Sequence, residues 1–155
     1  MLRNRERNGG TDVLAIICSL LAGIAMSVQG VMNTRLGENV GLYEANMIVQ
    51  GVAFLLSVLA VLFLGSGNLA AITQTNKFYL LGGVLGIVIT ITVMLAMKGL
   101  GATVAVSIIL IAQLAAAAII DAFGWFGVEH IPFGWQKYAG LALMICGVLL
   151  FKWRI

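Results

Sequence analysis

The residues of this 155-residue chain whose types and spacing could do chemistry are few, and most of them are amides. Gln29 and Asn33 stand four apart, which puts both on one face of a helix, and Gln50 and Gln113 follow further along. A carboxamide donates and accepts hydrogen bonds but neither releases a proton nor carries charge. The chemistry open to this set is recognition of a polar solute, or hydrogen bonding between helices. Asp121 is the acidic member of the group. It reads either as an interfacial anchor paired with Lys77 or Lys137, or as a site that handles a proton or a substrate charge. Nothing else in the inventory suggests catalysis. Cys18 and Cys146 are isolated, His130 has no ligand set around it, and no Ser-His-Asp order or paired carboxylates occur. The glycine clusters Gly82-Gly83-Val-Leu-Gly86 and Gly99-Leu-Gly101 lack the lysine and hydroxyl of a phosphate loop. The chain is therefore expected to be no enzyme and to hold no metal, nucleotide or other cofactor.

The elements that must position these residues follow from composition. Hydrophobic residues make up 61% of the chain and charged residues only 10%, too little polar surface to cover a water-soluble domain. The solvent must be lipid, and the expected fold is an all-α membrane protein, a bundle of about five transmembrane helices. Residues 1–12 form a basic tail carrying Arg3, Arg5 and Arg7. Residues 13–153 form a single five-helix domain with spans at about 13–34, 45–65, 78–97, 103–123 and 137–152, since about 20 apolar residues cross a 30 Å hydrocarbon layer. The first run is long, lacks a small-residue cleavage site and precedes four more, so it reads as an uncleaved span. Asn76 is placed to cap the third span. Trp135 and Trp153 bracket the short fifth span and extend it through aromatic belts. The 124–134 loop, with Glu129, His130 and Pro132, is expected along the interface. The net charge of +3 sits in the tail and at helix ends, which suits lipid headgroups rather than a nucleic acid.

Depth sharpens the amide reading. Gln29 and Gln50 both fall about 8 Å from the midplane, on the same side. Gln113 lies near the middle of span four, followed by Leu114 and the alanine run 115–118, so small side chains flank an amide at the most expensive depth. Asp121 sits about 80° further round that helix and about 12 Å from its centre. Packing surfaces come from small residues: a ridge of Ser19, Gly23, Ser27 and Gly30, the pair Gly82 and Gly86, and Gly140 with Gly147. Lys and Arg are nearly balanced across the bilayer, with Arg3, Arg5, Arg7, Lys77 and Lys137 on one side and Arg35, Lys98, Lys152 and Arg154 on the other. Such balance allows either the tail to fix the N-terminus inside or insertion in both orientations. Dual topology would permit an antiparallel homodimer.

The stretch Ala22-Gly23-Ile-Ala-Met-Ser-Val-Gln29-Gly30-Val-Met-Asn33-Thr-Arg35-Leu36-Gly37 resembles the opening of the YdcZ (DUF606) family of the drug/metabolite transporter superfamily. Gly82-Gly83-Val-Leu-Gly86, Leu100-Gly101-Ala102-Thr103, Ala112-Gln113-Leu114 and Asp121-Ala-Phe123-Gly124-Trp-Phe-Gly127 are similar to that family's later blocks in the same order, and the 140–150 stretch closes the match. The resemblance implies five helices and a small transporter working as an antiparallel pair, of itself or with a related paralogous subunit. Helix two departs from the family pattern, carrying Tyr43-Glu44 where a proline is usual and Ile48-Val49-Gln50-Gly51 where a serine is usual. The superfamily's small multidrug exporters are similar in size but use a deep carboxylate in their first helix, and a comparable face here carries Gln29. That substitution favours a neutral or zwitterionic cargo over a permanent cation.

The expected function is thus a small-molecule transporter of the bacterial cytoplasmic membrane, multi-pass, alternating access across a dimer interface. Its partners are the lipid bilayer, a second copy or paralogue, and a small polar solute. Inverting one copy would bring its Asp121 to the side of the other copy's Gln29, Asn33 and Gln50. The alternative is a non-transporting membrane subunit or one half of a heterodimeric transporter.

Overall fold

A computed structural model of the chain describes residues 9–131 and 134–152, with side chains over 13–131 and 134–151. The tail arginines Arg3, Arg5 and Arg7, and Pro132, Trp153 and Arg154, lie outside the described residues. Among the described residues the regular structure is entirely helical: α1 (Gly9–Val40), α2 (Leu42–Leu64), α3 (Leu81–Leu100), α4 (Ala102–Phe123) and α5 (Trp135–Lys152). Short 3₁₀ turns cover Leu69–Thr73, Lys77–Leu80 and Trp125–Gly127.

Four of the helical segments are long and apolar enough to cross a bilayer, and α5 presents a shorter apolar run, Trp135–Phe151. Their side chains face outward to a degree no aqueous fold tolerates. None of the most apolar stretch of α2 is buried, and the buried apolar residues are Ala45, Met94, Met97, Val104, Ala105 and Ala118. Hydroxyls on these helices are satisfied locally. Ser19, Ser27, Ser57 and Ser107 donate to the carbonyl four residues back at 2.8–3.1 Å, so each can face hydrocarbon without an orphaned donor.

The chain forms two compact units, Met1–Met94 and Leu95–Ile155. In the first, α1 runs 32 residues, well beyond the apolar stretch, because Arg35, Glu38 and Asn39 are ordinary helical residues once outside the hydrocarbon. Arg35 Nη1 pairs with Glu38 Oε2 at 2.9 Å, and Asn39 Nδ2 donates to the Arg35 carbonyl at 3.0 Å. The helix stops at Gly41, whose φ of 106° belongs to the region glycine favours. A Cβ at this position would also collide with the Glu44 carboxylate, which lies in the first turn of α2 and suits that positive helix end. A single residue therefore reverses the chain, and α1 and α2 pack as a hairpin. Asn76 Oδ1 accepts from Phe78 N at 3.0 Å, capping the turn that leads into α3.

In the second unit α4 ends at Gly124 in the left-handed conformation, its N–H returning to the Ile120 carbonyl. The connection to α5 is pinned early. Ile131 N donates to the Asp121 carbonyl at 2.9 Å, and Phe123 stacks on Trp125 with ring centroids 5.6 Å apart. Phe126 takes a φ of 59°, costly for a residue with a Cβ, inside this turn. α4 and α5 then pack along each other.

Candidate functional site

Two features stand out, one in each unit. The first is a layer of amides beside the α1–α2 turn. Asn33, Asn46 and Gln50 lie about 12, 8 and 14 Å from Gly41 along their helices, so the two helices bring them to neighbouring heights. Asn33 is 6% exposed and Asn46 8% exposed, the buried polar side chains among the described residues. Gly30 is also buried on the Asn33 face. Gly37, one turn further on, is approached by Met94 Sδ from α3 and by Ala45 Cβ from α2, at 3.6 and 3.8 Å from where its own Cβ would stand.

Within this layer Asn46 Oδ1 is buried with no hydrogen-bond donor among the described residues. A buried carbonyl oxygen without a donor costs about 1–3 kcal/mol relative to one that is bonded. Gln50 is half-buried, and its Nε2 lies 3.8 Å from the position a Cβ on Gly86 would occupy. The glycine of α3 thus leaves space beside this amide. One turn on, Thr90 is half-buried and donates back to the Gly86 carbonyl at 2.8 Å. Gln29 is exposed on α1 rather than buried with Asn33.

Asn46 is the polar residue that reading the sequence for deep amides passes over. Its signal was present, because Asn46 and Gln50 repeat on α2 the four-residue amide spacing of Gln29 and Asn33 on α1.

The second feature is a cleft of about 390 Å³ between α4 and α5, lined by Leu114, Ala117, Ala118, Asp121, Lys137, Gly140, Leu141 and Met144. Asp121 and Lys137 are half-buried and share it. The structure thus sets the Asp121 carboxylate and the Lys137 ammonium along one cleft. Gln113 is exposed on α4 and does not line the cleft.

The small-residue surfaces are largely open in the single chain. A Cβ on Gly23, Gly82, Gly140 or Gly147 would meet nothing within 4 Å. Among the described residues no group of His, Cys, Asp and Glu could hold a metal ion, and Cys18 and Cys146 are exposed free thiols.

Comparison with known proteins points one way. A family model described as "Putative inner membrane exporter, YdcZ" matches residues 14–150, from the start of the first apolar run to the end of the last helix. No curated protein and no solved structure matches the chain. The matched family is one of membrane exporters and not of enzymes, in keeping with apolar helices that leave their side chains to lipid. The chain is a multi-pass protein of the bacterial inner membrane and belongs to the YdcZ family of the drug/metabolite transporters.

Proposed function

We propose that this protein carries a small polar solute, neutral or zwitterionic, across the inner membrane by alternating access at the interface of an antiparallel dimer. The observation that carries this reading is the buried amide layer with its orphaned acceptor, Asn46 Oδ1. An N–H or O–H of the cargo supplies the missing donor, while Asn33 and Gln50 contribute further amide groups at neighbouring heights. Gln29 and Gln113, exposed in the single chain, take part where the second copy covers them. Asp121 supplies the charge coupling, since it can bind and release a proton where amides cannot.

The dimer reading is supported by three observations: few apolar residues buried in the single chain, glycine faces with nothing against them, and near-balanced basic residues on the two sides. Residues 13–153 act in this reading as one transport module, doubled by its inverted partner. Inversion would bring the Asp121 of one copy to the membrane side of the other copy's amides.

The test is flux in proteoliposomes holding the purified chain alone, with a panel of radiolabelled amino acids, polyols and betaines as the cargo probes. Saturable uptake of one of them, lost on Asn33→Ala and made insensitive to the pH gradient by Asp121→Asn, is the expected result. A chain that moves none of the probes by itself, but does so with a paralogue added, is instead half of a heterodimer. Undiminished and still pH-driven flux in Asp121→Asn removes that residue from coupling.

A further inference from the structure

The α4–α5 cleft holds the carboxylate to which the transport reading gives coupling, but its lysine and its apolar walls have no part in that reading. Its two charges lie at one end, because Asp121 is in the last turn of α4 and Lys137 in the first turn of α5. Its remaining walls, from Leu114 to Ala118 on one helix and from Gly140 to Met144 on the other, are apolar and extend about 10 Å along the helices away from those charges. Exposed aromatic side chains, Phe123, Trp125, Trp135 and Tyr138, lie close in sequence to the charged end, and tryptophan and tyrosine mark the headgroup level of a bilayer. Gly140 forms an open stretch of wall, with nothing within 4 Å of the place a Cβ would take.

We propose that this cleft binds an aminophospholipid of the surrounding bilayer, with its primary ammonium on Asp121, its phosphate toward Lys137 and the start of an acyl chain along the Leu114–Met144 walls. Charge complementarity selects the headgroup. A lysine alone would favour any anionic lipid, but the carboxylate in the same cleft repels a headgroup that carries no cation. A quaternary ammonium brings the charge without an N–H, so it cannot make the charge-assisted hydrogen bond that a primary ammonium offers to a carboxylate. Lys137 makes a contact of its own, and an ammonium with three donors can serve the phosphate in addition.

The site is tested by native mass spectrometry of the full chain in mild detergent, given equal amounts of phosphatidylethanolamine, phosphatidylcholine and phosphatidylglycerol with the same acyl chains. Phosphatidylethanolamine adducts are expected to exceed each of the others by about tenfold, the ratio one charge-assisted hydrogen bond confers. Asp121→Asn should lower that preference to about twofold or less, and Gly140→Leu, which fills the cleft from an unobstructed wall, should lower retention of all three lipids. Glu38→Gln, outside the cleft, should change neither. Equal adducts of the three lipids on the unaltered chain, or a preference that survives both cleft substitutions, overturns the assignment. Loss of the dimer on Gly140→Leu with equal lipid adducts throughout also overturns it, by giving the cleft to a second copy.

Discussion

Replacing Asn46 by leucine separates what the fold needs from what the site needs. The two side chains branch alike at Cγ and hold the same number of non-hydrogen atoms, and Leu places apolar surface where a carboxamide oxygen is now buried with no donor among the described residues. At 8% exposure that oxygen has lost nearly all contact with solvent, and relieving an unsatisfied buried acceptor is worth about 1–3 kcal/mol. Most core substitutions of a polar residue destabilise because a hydrogen bond is broken, yet no described residue donates to this oxygen. Asn46→Leu should therefore stabilise the empty protein, raising its thermal midpoint in detergent by a few degrees, at about 2–4 °C per kcal/mol for a chain of this size. Flux should fall by about tenfold or more, because the donor that the cargo brings loses its acceptor. Circular dichroism melts and vesicle flux on one preparation give both readouts. A lowered midpoint would mean that the oxygen is bonded in the folded protein, and unchanged flux with a raised midpoint would mean that the amide serves no cargo. Either outcome removes the Asn46 oxygen from the cargo site.

The other expectations follow from single positions. Gly41→Ala puts a Cβ at a φ of 106° and against the Glu44 carboxylate, so it should cost about 1–3 kcal/mol, read as a lowered melting midpoint or loss of the folded hairpin. A Cβ on Gly23 has nothing within 4 Å beyond its own helix backbone, so Gly23→Leu should leave helicity unchanged while the dimer fraction falls in crosslinking or analytical ultracentrifugation. Glu38→Gln breaks the ion pair to Arg35, whose side chains are 37% and 76% exposed. The loss should be under about 0.5 kcal/mol after solvent screening, too small to move a melt measurably.

The helical membrane class and its succession of apolar segments were legible because lipid imposes a simple rule, a run of uncharged residues long enough to cross. Helix ends were less so. Nothing in Asn33, Arg35, Glu38 or Asn39 breaks a helix, and it is Gly41, with its positive φ, that ends α1. Polarity could nominate Asn33, Gln50 and Asp121, because each is expensive in hydrocarbon. Polarity could not show that Asn46 is the residue left with an orphaned oxygen, since that depends on how α2 rotates against its neighbours. Nor could it show that Asp121 and Lys137 share a cleft. That arrangement is set by the turn after Phe123, where Phe126 and the Ile131 to Asp121 hydrogen bond determine how α5 returns.

The helices are far from equal in length. At 1.5 Å per residue, the 32 residues of α1 extend about 48 Å and the 18 of α5 about 27 Å, against a hydrocarbon layer of about 30 Å. α1 can absorb a change in bilayer thickness by tilting or by sliding its polar last turns in and out of the headgroups. As a span, α5 would have no such slack, and any thickening would draw its ends, Lys137 among them, toward the acyl region at an energetic cost for every ångström. The shortest helix would then set the membrane this protein tolerates, and vesicles made from progressively longer lipids should impair it at the α5 end first.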